Sequence, residues 1–180
     1  MTKVLLALHV IAAIIAVGPV TVAASMFPAF ARKAAAAVGT DRERACAQLA
    51  VLHRICVGYA VVAMAVPVFG FATAASLHVL TSPWLVASMA LTAVAALVLG
   101  AVVLPVQDGI RRDVEKAAAE PAGTAAPTGP AVLAAPAAEP VTVSDRARTS
   151  RLAMSTGLFN LLWATVTVLM ILRPGSTTGV

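Results

Sequence analysis

Charge is scarce in this chain. Asp, Glu, Lys and Arg make up 12% of its 180 residues, about half the share that soluble domains carry. With 60% hydrophobic residues and a mean hydropathy of +0.92, a soluble core of this size cannot hide the apolar surface. Lipid is therefore the expected solvent. Cysteine is scarce too: Cys46 and Cys56 alone exclude a disulfide framework and make no paired metal motif. Ten residues apart on one helix, they point roughly 80° apart, so with His53 they read as structural groups. The net charge of +5 first suggests nucleic acid. The positions of the charges exclude it as a partner. All eight acidic residues and eleven of the thirteen basic ones fall in two segments between apolar runs, the pattern of a membrane protein rather than of a basic stripe.

No Asp, Glu, Lys or Arg lies inside any of the four apolar runs. Such residues mark proton relays and ion paths when they occur in a bilayer, so their absence counts against a proton-coupled transporter or a charge-lined channel. A carrier for a neutral solute is left open.

The runs themselves set the architecture. Residues 4–31 form the first, long enough to cross a bilayer, which takes about 20 residues. It holds His9 and a Gly18-Pro19 break near its middle. A signal peptide is the alternative, since Val22-Ala23-Ala24-Ser25 resembles a cleavage site; the apolar run continues past that site, which favours a helix. Thr40-Asp41-Arg42-Glu43 has capping-box form and predicts a helix start with Thr40 as the cap. The second span covers residues 55–79, with a kink expected at Pro67. A tight turn then leads to the third span at 84–106, opened by Trp84 at the interface that indole rings favour. Thr92, Ala96 and Gly100 recur every four residues, a stripe suited to close helix contact. Residues 107–116 read as a charged helical extension, and 117–143, rich in Ala and Pro, as a disordered linker. The fourth span is 152–172, about 31 Å at 1.5 Å per residue. The organisation is residues 1–116 with three spans, the linker, and 144–180 with the fourth. The fold class is all-α, an integral membrane bundle of four transmembrane helices.

Orientation follows from the cations. Segments 32–54 and 107–151 carry eleven Lys and Arg residues against Lys3 and Arg173 on the other face. Both segments are expected in the cytoplasm and both termini outside the plasma membrane. Arg42, Arg44, Arg111 and Arg112 would meet anionic headgroups.

The outward face gathers the candidate chemistry. His9 lies about five residues, or ~7 Å, inside the first helix, and His78 at the outward end of the second. Met89 and Met170 approach the same face on the third and fourth. His9 stands above Ala12, Ala13 and Ala16, and His78 continues the row Gly70, Ala74, which leaves room for a flat cofactor between helices. His9 and His78 are the candidate cofactor ligands, and His9, His78 and Met89 the metal candidates. Histidine and methionine suit haem or copper(I). The plainer alternative is an imidazole bonded to a carbonyl or headgroup beside ordinary core methionines. Asn160 and Trp163 read as helix-packing groups.

The run LHVIAAIIAVGP at residues 8–19 resembles the opening helix of the copper-resistance-protein-D-like superfamily. The closing VLMILRPG is similar to the ending of one of its families of predicted integral membrane proteins, with Arg173 where that ending has lysine. Gly70 of PVFGF resembles a glycine of the second helix there. Where that superfamily has an aromatic and two glycines after the first histidine, this chain has Val17-Gly18-Pro19. The resemblance implies a four-helix plasma-membrane protein, some of whose relatives handle copper or bind haem b, with His9 as the corresponding ligand. Three functions are thus carried forward: an accessory subunit that partners the bilayer and other membrane proteins or itself, a haem b or copper redox protein using His9, and a neutral-solute carrier.

Overall fold

The computed structural model describes residues 1–119 and 143–175, and every regular element among them is helical. In hydrocarbon no water is at hand to satisfy backbone amides and carbonyls, so long apolar runs close their hydrogen bonds internally as helices. Four helices are long and apolar enough to cross a membrane. The first is α1 (Thr2–Ala36). The second is α2 (Thr40–Ala63) followed, after Met64, by α3 (Ala65–Ser76). The third joins α4 (Pro83–Leu97), a π-wound segment (Val98–Val103) and α5 (Leu104–Ala119). The fourth is α6 (Val143–Leu172).

Local details differ from expectation at four points. Gly18-Pro19 does not break α1, which runs unbroken past Pro19 and Pro28. A proline deletes one amide donor, whereas breaking the helix in lipid would unpair several groups at once. Thr40 is not a cap. It already belongs to α2, no side chain caps that helix, and Gly39 (φ +57°) precedes it. The Gly39 carbonyl accepts from the amides of Arg42 and Glu43 at 3.0 and 3.3 Å, which puts the helix start one residue ahead of Thr40's hydroxyl. The interruption expected from Pro67 falls at Met64, whose amide turns to the Val61 carbonyl, 3.1 Å away. Finally, α5 reaches Ala119 and so includes the first three residues of the expected linker; residues 120–142 lie outside the described residues.

The helices run alternately up and down around a ring. α1 lies along α2 and α3, α4 and the π segment lie along α6, and the ring closes where α1 meets α6 and α2 meets α5. α3 and α4 barely touch beyond the turn that joins them. One end of the bundle therefore holds the start of α1, the end of α6 and that turn; the other holds the end of α1, the start of α2, the end of α5 and the start of α6. These are called below the terminal end and the charged end.

Packing is concentrated toward the charged end. There a continuous core joins Phe27, Leu49, Cys56, Val103, Leu152 and Phe159, among others, from all four spans. Toward the terminal end only Ala74, Trp84 and Leu85 are buried as a cluster, with Val79 and Met170 against them. Arg173 adds a lid there, its guanidinium carbon 5.6 Å from the Trp84 ring centroid, within reach of a cation–π contact. Outward-facing apolar residues complete the picture: Ile14, Val61, Leu97 and Leu161 each expose 64–70% of their surface. In water that would be a liability, whereas in a bilayer it is the lipid-facing side.

Candidate functional site

His9 is held at the α1–α3 contact. Its Nδ1 lies 2.9 Å from the Val66 carbonyl oxygen. A carbonyl only accepts, so Nδ1 is the protonated nitrogen, and in a neutral ring Nε2 keeps its lone pair. Gly70 provides the seat for this ring. A Cβ added at Gly70 would come within 2.9 Å of His9 Cε1 and 3.1 Å of Nδ1, closer than side chains pack. The room that the Gly70–Ala74 row was expected to leave for a flat cofactor is, at Gly70, filled by the imidazole itself. The plainer alternative for His9, a bond to a backbone carbonyl, is therefore formed.

The other candidates of the outward face stay apart from this seat. His78 is exposed in the turn after α3, at φ +58°, a conformation rare for a side chain of this size. Met89 is 45% exposed on α4. Met170 packs against the Ala74–Trp84–Leu85 cluster. No hydrogen bond joins any of the three to His9. Among the described residues, no three His, Cys, Asp or Glu side chains gather closely enough to hold a metal ion.

Between the spans lies a cavity of about 200 Å³ with all four helices in its walls. α1 contributes Ala16 and Val20, α2 and α3 contribute Ala63, Met64 and Pro67, and α6 contributes Phe159 and Trp163. The Thr92–Ala96–Gly100 stripe lines it as well. That stripe was expected to close on a neighbouring helix. Instead it forms a wall, and a Cβ built at Gly100 meets nothing within 4 Å. Two proline-linked irregularities explain why the bundle does not close here. Pro67 has no amide for the Ala63 carbonyl, and the helix is interrupted at Met64. Pro105 likewise has none for Ala101, and the turn ahead of it is π-wound, the Leu104 amide donating to the Leu99 carbonyl five residues back. Both disturbances border the cavity through Met64 and Pro67 on one side and Leu99 and Gly100 on the other. The Phe159 and Trp163 rings meet edge to face, 6.4 Å between centroids at 73°, a favoured aromatic geometry.

Comparisons with protein-family models, with curated proteins and with solved structures each found no match.

At the charged end a polar network closes the core. Gln107 is fully buried; its Nε2 reaches Cys56 Sγ at 3.6 Å, and its Oε1 lies 3.4 Å from His53 Nδ1. His53 Nε2 is 3.9 Å from Asp108. Asp108 pairs with Arg111 at 2.8 Å and Arg112 at 2.6 Å, and Arg111 also pairs with Glu115 at 2.6 Å. The Arg111 hydrogen bond holds the Asp108 carboxyl below its ordinary range, helped by the charge of Arg112, while partial burial opposes them. Burial pushes the Cys46 thiol up, away from the reactive thiolate.

The structure adds protein partners to the sequence reading of these arginines. Arg111 and Arg112 are held by acids of their own helix, Arg44 faces Asp41 at 3.2 Å, and Arg42 donates to the Ala37 and Ala117 carbonyls at 2.8 and 2.9 Å. Acids three or four residues away on a helix are within reach of Arg44, Arg111 and Arg112, and Arg44 and Arg112 stay 78% and 65% exposed beside them. Gln107 was missed altogether. It looks like the first residue of a polar tail, and its one sequence signal is an uncharged amide directly after an apolar run. Asn160 does the expected work between helices, donating from Nδ2 to Ser25 Oγ at 3.1 Å.

Proposed function

We propose that this chain is a small non-enzymatic membrane protein of the plasma membrane, an accessory or interaction subunit. In this reading both termini face outward and segments 32–54 and 107–151 face the cytoplasm. The observation that carries it is a flat strip on α6. Ala153 and Gly157, one turn apart, are both exposed, and a Cβ at Gly157 would meet nothing within 4 Å. Small residues four apart let a second helix approach the backbone closely, which is how helices associate in lipid, where burial of apolar surface gives no drive. The absence of Asp, Glu, Lys and Arg from the spans agrees with a role that needs no proton or ion path. The test is cross-linking in membranes through a cysteine placed at Ala153, in a background where Cys46 and Cys56 are alanine. Expected is a discrete adduct, with a second copy or with another subunit, that Gly157→Leu abolishes. A monomer that cross-links to nothing overturns the reading. Reaction of segment 32–54 with an impermeant reagent on intact cells would overturn the orientation.

A second reading, haem b or copper held by His9, is favoured by one feature. The Nδ1–Val66 bond fixes the ring and leaves Nε2 as the donor, the arrangement that orients metal-bound histidines. This fits one ligand. The cavity of about 200 Å³ is not lined by His9 and is below the ~300 Å³ at which ligand pockets begin, so it is no seat for a macrocycle on that nitrogen. A Soret band or stoichiometric copper in purified protein, lost in His9→Ala, is what this reading requires; a colourless, metal-free protein removes it.

A further inference from the structure

We propose that the intramembrane cavity is a binding site for one neutral hydrocarbon group, admitted sideways from the bilayer between the second and third spans. Three observations carry this.

The first is chemistry. The walls are alkyl and aromatic apart from the Thr92 hydroxyl, which already donates to the Ser88 carbonyl at 2.8 Å, and the indole N–H of Trp163. A buried water needs two to four polar partners, and apolar cavities stay dry and take apolar guests. The second is size. An apolar cavity of roughly 150 Å³ holds benzene or xenon, and this one measures about 200 Å³. The third is access. Met64 and Pro67 on the second span, and Ala96 and Gly100 on the third, line the cavity and are also exposed, whereas Phe159 at the back is buried. α3 and α4 barely meet, so the mouth lies between those spans, framed by the interruption at Met64 and by the π segment. In a bilayer the fluid outside that mouth is hydrocarbon. The guest is then either the tip of a lipid chain or a small apolar molecule dissolved among the chains, and both present the same surface to the Phe159–Trp163 pair.

Trp163 is the natural reporter, because the chain has two tryptophans and Trp84→Phe leaves it alone. The protein carrying that change is reconstituted into phosphatidylcholine vesicles and its emission followed against two probes. One is bromobenzene; the other is phosphatidylcholine brominated near the chain end. Expected is quenching that saturates with bromobenzene, its half-saturation raised about tenfold or more by Gly100→Leu or Ala96→Leu, as a filled pocket rejects its guest. Saturation by bromobenzene assigns a free molecule, and quenching by the brominated chain that both leucines relieve assigns a lipid tip. Quenching that rises linearly with either probe, equally in parent and variants, overturns the site. Should both leucine variants fail to fold, benzene added to the unsubstituted protein decides: a saturable rise in thermal midpoint supports the site and an unchanged midpoint overturns it.

Discussion

The two halves of this bundle solve the same problem differently. The charged-end half is welded: large side chains interlock across four spans, a buried glutamine bridges histidine and thiol, and acids on α5 hold its arginines. The terminal-end half is propped open. It has a small cluster under Trp84 and one histidine seated on one glycine, and where it meets the welded core through Val20, Leu99 and Phe159 a cavity lies between two disturbed helices. In lipid the two can coexist. Apolar surface gains nothing by leaving hydrocarbon, so only packing and hydrogen bonding reward closure. Where bulky side chains and polar partners are present the helices close; where alanine, glycine and proline dominate they need not.

That contrast can be broken experimentally, most severely in the welded half. Phe27 is fully buried, and Phe27→Ala should lower stability by about 3 kcal/mol or more, read as the shift in unfolding midpoint in mixed detergent–SDS micelles. In the open half, Gly70→Leu should displace the His9 ring and lower stability by about 1–3 kcal/mol. Combining it with His9→Ala should recover part of that loss, a coupling of at least about 0.5 kcal/mol. Strict additivity would mean that the imidazole does not occupy the glycine's seat. His9→Ala alone removes one interhelical hydrogen bond and should lose only about 0.6–1.7 kcal/mol in the same unfolding assay.

The smallest effect should be acid sensitivity of the charged end. Because folded Asp108 titrates below a free aspartate, its contribution is whole above pH ~4 and fades as the pH falls through the lower folded value. A melting series from pH 6 to 2 should show an acid-side loss that Asp108→Asn reduces. An identical profile in that variant would assign the loss to other carboxylates.

Much of this was legible beforehand, and the legible parts share a cause. Four spans, their order and the helical class follow from run lengths, because hydrocarbon forbids an unpaired backbone whatever the neighbours do. His9 could be singled out as the lone ionisable group in its run, though nothing in one dimension names Val66 and Gly70, 57 and 61 residues on, as its partners. The Thr92–Ala96–Gly100 stripe was visible, but its meaning was inverted, since small residues permit contact without requiring it. Gln107 was passed over because burial of a polar group depends on what stands opposite.

Sequence alone decided that this chain forms four helices long and apolar enough to cross a membrane, because solvent preference is a sum over residues. Only the tertiary structure decided which helices touch, where the stripe faces a void rather than a neighbour, and which arginines are already held. Those outcomes depend on distances between residues far apart in the chain, and composition does not encode them.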